Sequence, residues 1–199
     1  PWCEWEHYRE TADTDRLARV FPVLLAYHRW LRDYRTWKDG TYWSSGWSCG
    51  MDNQPRVPGG EQRAAWYHGH LSWIDACLQQ VLSGRLLTEM AAVLGRSPEV
   101  DDLRREVNQL STSVNARMWD EHTGFYYDLH RDGTLSDLKS VAAFWALLAE
   151  VADDHRAEHL VAHLSNEGEF SRPHRVPTLS GDHPAYREDG GYWLGGVWA

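Results

Sequence analysis

Cysteine is almost absent from this chain. Cys3, Cys49 and Cys77 are the only three among 199 residues, and no two share a Cys-x-x-Cys spacing. So sparse and odd a set argues against a disulfide scaffold and against a structural zinc site. It favours a reducing compartment, and with it a cytoplasmic location over an exported one. No apolar run approaches the roughly 18 residues that a membrane-crossing helix needs, so no membrane partner is expected. Positive charge is scarce too: 20 Lys and Arg stand against 29 Asp and Glu, a formal net charge of −9. The basic residues form no patch, and phosphate neutralisation requires clustered cations, so nucleic acid is not an expected partner. The chain opens Pro-Trp-Cys-Glu, with neither an initiating Met nor a secretory leader. That opening reads as the interior of a longer gene product. No tandem repeat of fixed length is visible, and nothing in the sequence sets an oligomeric state.

Tryptophan, by contrast, is abundant: twelve residues in a chain that is 42% hydrophobic and 25% charged. This composition fits one soluble globular unit with a real core, or a large piece of a bigger domain. Leu17, Val20, Phe21, Leu24, Leu25, His28 and Leu31 recur at helical spacing, with Asp13 or Thr14 as the cap. Pro22 inside that pattern predicts a kink or a restart. A second helix carries Leu71, Ile74, Leu78, Val81, Leu82, Met90, Val93 and Leu94 and stops at Gly95. Ser97-Pro98-Glu99 predicts a capped restart before the stripe Val100, Leu103, Val107, Leu110 and Val114. Thr123–His130 reads as a strand turning at Asp132-Gly133. Val141, Phe144, Trp145, Leu148 and Val151 predict a fourth helix, and Ala157, Leu160, Val161 and Leu164 a fifth. The rest is loop, chiefly about 37–69 and 166–199; loops this long inside a compact domain are usually functional. The fold class is therefore all-α, built of antiparallel helix pairs with a small β-hairpin and long loops. Trp30, Trp73 and Trp145 fall in helical patterns and are expected in the core. Trp37, Trp43, Trp47, Trp66, Trp193 and Trp198 fall in loops and suggest a lined pocket.

Two loop segments carry the chemistry. Residues 40–56 read Gly-Thr-Tyr-Trp-Ser-Ser-Gly-Trp-Ser-Cys-Gly-Met-Asp-Asn-Gln-Pro-Arg, aromatic rings beside one acid, Asp52. Residues 190–198 read Gly-Gly-Tyr-Trp-Leu-Gly-Gly-Val-Trp, three aromatics among glycines. Sugars present C–H faces to aromatic rings and hydroxyls to polar groups, and glycosidic cleavage needs a carboxylic acid. Asp52 reads either as a turn residue before Asn53 and Pro55 or as a general acid between aromatic walls such as Trp47. Other groups read structurally. His68-Gly69-His70 has no partner at a zinc spacing, so no metal or cofactor is expected. Asp120, Asp128 and Asp132 could ring a calcium ion but read more simply as turn acids. Asp75 reads as a helix-dipole or packing partner.

Trp47-Ser48-Cys49-Gly50-Met51-Asp52-Asn53-Gln54-Pro55-Arg56 resembles the W-x-S-G-M-D-N-S-P-R signature of one glycoside hydrolase family. That family holds processing α-glucosidases and bacterial mannosylglycerate and glucosylglycerate hydrolases, with trehalases as relatives. Tyr192-Trp193-Leu194-Gly195-Gly196-Val197-Trp198 resembles its Y-W-R-G-P-V-W segment. Trp119-Asp120 with Gly124–Asp128, and Phe170, Pro173, Leu179 and Tyr186, are similar to the stretches between. The resemblance implies an (α/α)6 toroid and an inverting hydrolase of an α-linked glucoside or mannoside, with a small carbohydrate as partner. It matches Asp52 to the general acid, and Trp47, Tyr192, Trp193 and Trp198 to aromatics around the sugar. Cys49 stands where Ser is usual, and Leu194 and Gly196 where Arg and Pro are. Inversion also needs a base, its carboxyl roughly 6.5–9.5 Å from the acid. In the resembled family that Glu follows the Tyr-Trp segment, so it is expected beyond Ala199; Asp182, Glu188 and Asp189 read as solvated loop acids. Residues 1–199 are then expected to be the central fragment of one catalytic domain, with little turnover alone. An epimerase on the same toroid and a non-catalytic sugar-binding remnant are the competing expectations.

Overall fold

Helix starts in this chain are set by local chemistry. In the computed structural model, which describes residues 1–57 and 65–198, Asp13 accepts the Arg16 amide at 2.8 Å. This satisfies an orphan donor at the head of α2 (Thr14–Tyr34). Ahead of it lies α1 (Trp2–Thr11), which the periodicity does not foreshadow because none of its residues is buried. A single turn, α3 (Gly46–Cys49), interrupts the first long loop. Then come α4 (Ile74–Val93), a 3-10 turn at Ser97–Val100 and α5 (Asp101–Arg117). Two short strands follow, β1 (Trp119–Asp120) and β2 (Phe125–Tyr126), antiparallel with Trp119 opposite Tyr126. A 3-10 turn (Val141–Phe144) runs into α6 (Trp145–Leu148), and α7 (Asp154–Ser165) is the last helix.

The long helices pack as antiparallel neighbours. Leu17, Phe21 and Leu25 of α2 share a core with Leu87, Met90 and Ala91 of α4 and with Val100 and Leu103. Further along, Ile74, Cys77, Leu78 and Val81 of α4 join Leu110 and Val114 of α5, the hairpin, and Ala142, Ala143, Ala146 and Ala149 in and around α6. Gly84 leaves room for α5 against α4: a Cβ there would sit 2.6 Å from Val107 Cγ2. No helix among the described residues is long and apolar enough to cross a membrane.

Several expectations need correction. Pro22 neither breaks nor restarts α2. Both Pro22 and Ala18, whose carbonyl loses its amide donor, are exposed, so that carbonyl faces solvent while buried residues on both sides hold the helix. Replacing Pro22 by Ala restores that donor. Unfolding of the complete protein should shift to higher stability by about 1–3 kcal/mol, the range between local helix propensities, read as a raised urea midpoint. Trp30 is 44% exposed rather than core; it lies on the face opposite Leu25 and His28 and meets Tyr27 and Tyr34 instead. Trp73 is fully buried and Trp145 half-buried. Leu71 precedes α4, in an extended segment where Ser72 bridges Leu129. Ser97 makes no side-chain cap. The Thr123–His130 strand shrinks to β2 and pairs backwards with β1, while Asp132-Gly133 makes a separate turn closed by His130 N–H to the Thr134 carbonyl at 2.8 Å. The fourth helix is one turn of each kind, ended by Glu150 in the left-handed region. Of the first long loop, residues 58–64 lie outside the described residues, as does Ala199.

Candidate active site

Gly50, at φ +83°, ends α3 in a backbone conformation open to glycine. The turn that follows is closed by the Gln54 amide on the Met51 carbonyl at 3.3 Å. It turns Asp52 outward while driving Met51, Gln54 and Arg56 inward. The segment is thus a turn, with Asp52 on its outer side.

The two sequence motifs meet here. Tyr192 donates from Oη to Asp52 Oδ2 at 2.9 Å, across 140 residues of chain. Asn53 Nδ2 donates to the Gly191 carbonyl at 3.0 Å, and Asn53 Oδ1 accepts the Trp193 amide at 2.9 Å. Gln54, fully buried, donates to the Thr178 carbonyl at 2.7 Å and accepts from Ser140 Oγ at 2.8 Å. Three consecutive side chains of one loop therefore bind three other segments, and a half-buried carboxylate is left at the junction. Trp193 and Trp198 stack at 4.7 Å and 16°, with Tyr192 edge-on to both. The Trp193 indole N–H is buried and meets no hydrogen-bond partner among the described residues. Gly196 fits where the resembled family has Pro, because a Cβ there would stand 2.4 Å from the Tyr192 carbonyl oxygen.

Trp47 is placed differently from the other three aromatics. It is 59% exposed and its ring lies on Trp66 at 4.0 Å. Trp37 and Trp43 pack on His68, and Trp37 on His70, so that motif builds an aromatic layer. Burial lowers the His68 pKa, which favours the neutral ring in that layer. A concave patch of about 500 Å³ near Trp30, Trp43 and Ser48 includes neither Asp52 nor Tyr192 in its lining. Asp182, Glu188 and Asp189 are exposed and paired with Lys139, Arg172 and Arg187. Cys49 is half-buried, and burial pushes its thiol up to about 12, so it stays protonated.

Arg56 is the residue that sequence reasoning missed. It is 4% exposed and lies with its guanidinium 4.1 Å from the Trp73 ring centroid. It makes paired bonds to Asp75 at 2.8 and 3.0 Å and to Asp128 at 2.7 and 2.6 Å. Burial alone would lower its pKa; Asp128 and Asp75 hold it well above the ordinary arginine value. In the sequence the two acids look like a dipole partner and a turn acid; in the structure they are the two halves of one buried clamp. Asp128 also accepts the Ile74 amide at 2.8 Å. The clamp ties the acid-bearing loop to the start of α4 and to the segment after β2. Its only sequence signal is an Arg closing the first motif, and nothing local points to acids 19 and 72 residues away. Asp120 and Asp132 bond their own turns, through His122 and Thr134, so the three aspartates do not share a site.

Known proteins resemble this chain in sequence and fold. The family model of the mannosylglycerate hydrolase MGH1-like glycoside hydrolase domain matches residues 2–199. The mannosylglycerate hydrolase of Thermus thermophilus is 27% identical over 247 residues, covering 96% of this chain and 58% of that protein. A probable mannosyl-oligosaccharide glucosidase of Schizosaccharomyces pombe is 23% identical over 205 residues, covering 92% of this chain and 24% of its own length. The crystal structure of a GH63 mannosylglycerate hydrolase, also from Thermus thermophilus and in complex with glucose, superposes with a TM-score of 0.81. It is 22% identical, over 98% of this chain and 57% of that one. The chain thus spans less than two thirds of the length of these relatives. The likeness in structure shows a shared fold, so the helix pairs described above are part of an (α/α)6 toroid. With the family model matched along essentially its whole length, the chain belongs to the MGH1-like glycoside hydrolase family.

Proposed function

We propose that this chain carries the proton donor of an inverting glycosidase that acts on an α-linked glucoside or mannoside, with mannosylglycerate and glucosylglycerate as the leading candidates. One observation carries the reading: the Tyr192 hydroxyl on the Asp52 carboxylate, which brings the acid of one motif to the stacked aromatics of the other. A sugar ring lying against Trp193 and Trp198 would present its glycosidic oxygen to Asp52. Trp47 contributes an outer aromatic face with Trp66. Protonation of the leaving oxygen accompanies C–O cleavage, while a base on the opposite sugar face activates water. The resemblance of the second motif to its family assigns that base to residues outside these 199; Asp182, Glu188 and Asp189 are engaged with cations. On it, residues 1–199 are the central part of one catalytic domain and turn over little or no substrate by themselves.

The test is proton NMR of the complete protein turning over an α-linked glycerate glycoside. Inversion predicts that the first sugar released is the β-anomer, which then mutarotates. Initial release of the α-anomer would refute inversion. An unchanged substrate mass with altered stereochemistry would replace hydrolysis by epimerisation.

A further inference from the structure

Asn53 grips Tyr192 from both sides. Its Nδ2 donates to the carbonyl just before Tyr192 and its Oδ1 accepts from the amide just after it, at 3.0 and 2.9 Å. Tyr192 sits at φ +66°, a left-handed conformation that is unfavourable for a residue bearing a Cβ. Burial does not impose that conformation, because the side chain is 51% exposed. Its contacts to Trp193 and Trp198 are edge-on ring contacts between side chains, whereas the Asn53 bonds act on the backbone. The pairing is also chemically selective: one donor and one acceptor on the same planar group are required, and a carboxylate lacks the donor.

We infer that Asn53 is a positioning residue for the proton donor. It fixes the Tyr192 backbone in the left-handed region and thereby aims Oη at Asp52 Oδ2. This rests on the role proposed above for Asp52.

A double-mutant cycle in the complete protein tests it, with kcat and KM measured on the glycerate glycoside. Tyr192→Phe and Asn53→Ala are each expected to lower kcat about tenfold with KM within about twofold, the scale of one lost charge-assisted hydrogen bond. The double variant is also expected to lose only about tenfold, because both changes remove the same hydroxyl contact. A purely structural role would lower the melting temperature and give a loss that multiplies with that of Tyr192→Phe. An Asn53→Ala enzyme at full kcat, or a multiplicative double loss, overturns the inference. Should Asn53→Ala fail to fold, the near-isosteric Asn53→Asp takes its place in the cycle; failure of both to fold makes the residue structural and overturns it as well. The two readings fail separately. Turnover retained by Asp52→Asn removes the general acid itself, whereas an inactive Asp52→Asn beside a multiplicative cycle removes only the role of Asn53.

Discussion

Asp52→Asn in the complete protein is expected to lower kcat by about 10²- to 10⁴-fold, the usual contribution of a positioned general acid. The substitution preserves shape, and its amide oxygen can still accept the Tyr192 hydroxyl that now sits 2.9 Å from Oδ2. The aromatic surface beside it is unchanged, so sugar affinity, followed by tryptophan fluorescence, should hold within about threefold while turnover collapses; such a split marks an interaction made in the transition state. The leaving group sharpens the test. A glycosyl fluoride departs with little need for a proton, so the variant should recover most of its rate on that substrate. Equal losses on fluoride and on glycerate glycoside would show that Asp52 does something other than protonate, and undiminished turnover on both would remove it from the reaction.

Arg56→Met should be the most destabilising single substitution in the site. Removing the cation leaves Asp75 and Asp128, each almost fully buried, with no counter-charge. Breaking a buried ion pair in this way costs about 3–5 kcal/mol, more than the pair adds over an apolar replacement, because uncompensated charge remains in low dielectric. Urea unfolding of the complete protein reads the loss directly. Arg56→Lys should recover little, since a single ammonium cannot make the paired bonds to both carboxylates. Combining Arg56→Met with Asp75→Asn and Asp128→Asn should regain part of the stability by removing the stranded charges. A loss below about 1 kcal/mol for Arg56→Met, the scale of a surface pair, would show that the clamp is solvated in solution and carries no such role.

The helical frame was legible because its information is local. Leu17, Phe21, Leu25 and His28 fall on one face of α2 at the spacing that burial demands, and Asp13 announces where it starts. Pro22 misled because a solvent-facing carbonyl tolerates the missing donor. Trp30 misled because residue type, rather than its angular position on the helix, was taken to decide burial. In the site, the motifs exposed Asp52 and the Tyr192 loop but not how they join. The bonds from Asn53 and Gln54 reach 138, 140 and 124 residues along the chain, and no periodicity encodes a partner at that distance. Arg56 was hidden for the same reason: a buried cation looks like any other arginine until both of its acids are in place.

The 140 residues between Asp52 and Tyr192 also set an order of events in the life of the molecule. A ribosome delivers the acid long before it delivers the hydroxyl that meets it. The α2, α4 and α5 helices can assemble from neighbouring sequence in the meantime, whereas the junction with Asp52 waits on the segment that carries Tyr192. On a growing chain these helices can therefore form before the junction between Asp52 and Tyr192 can close.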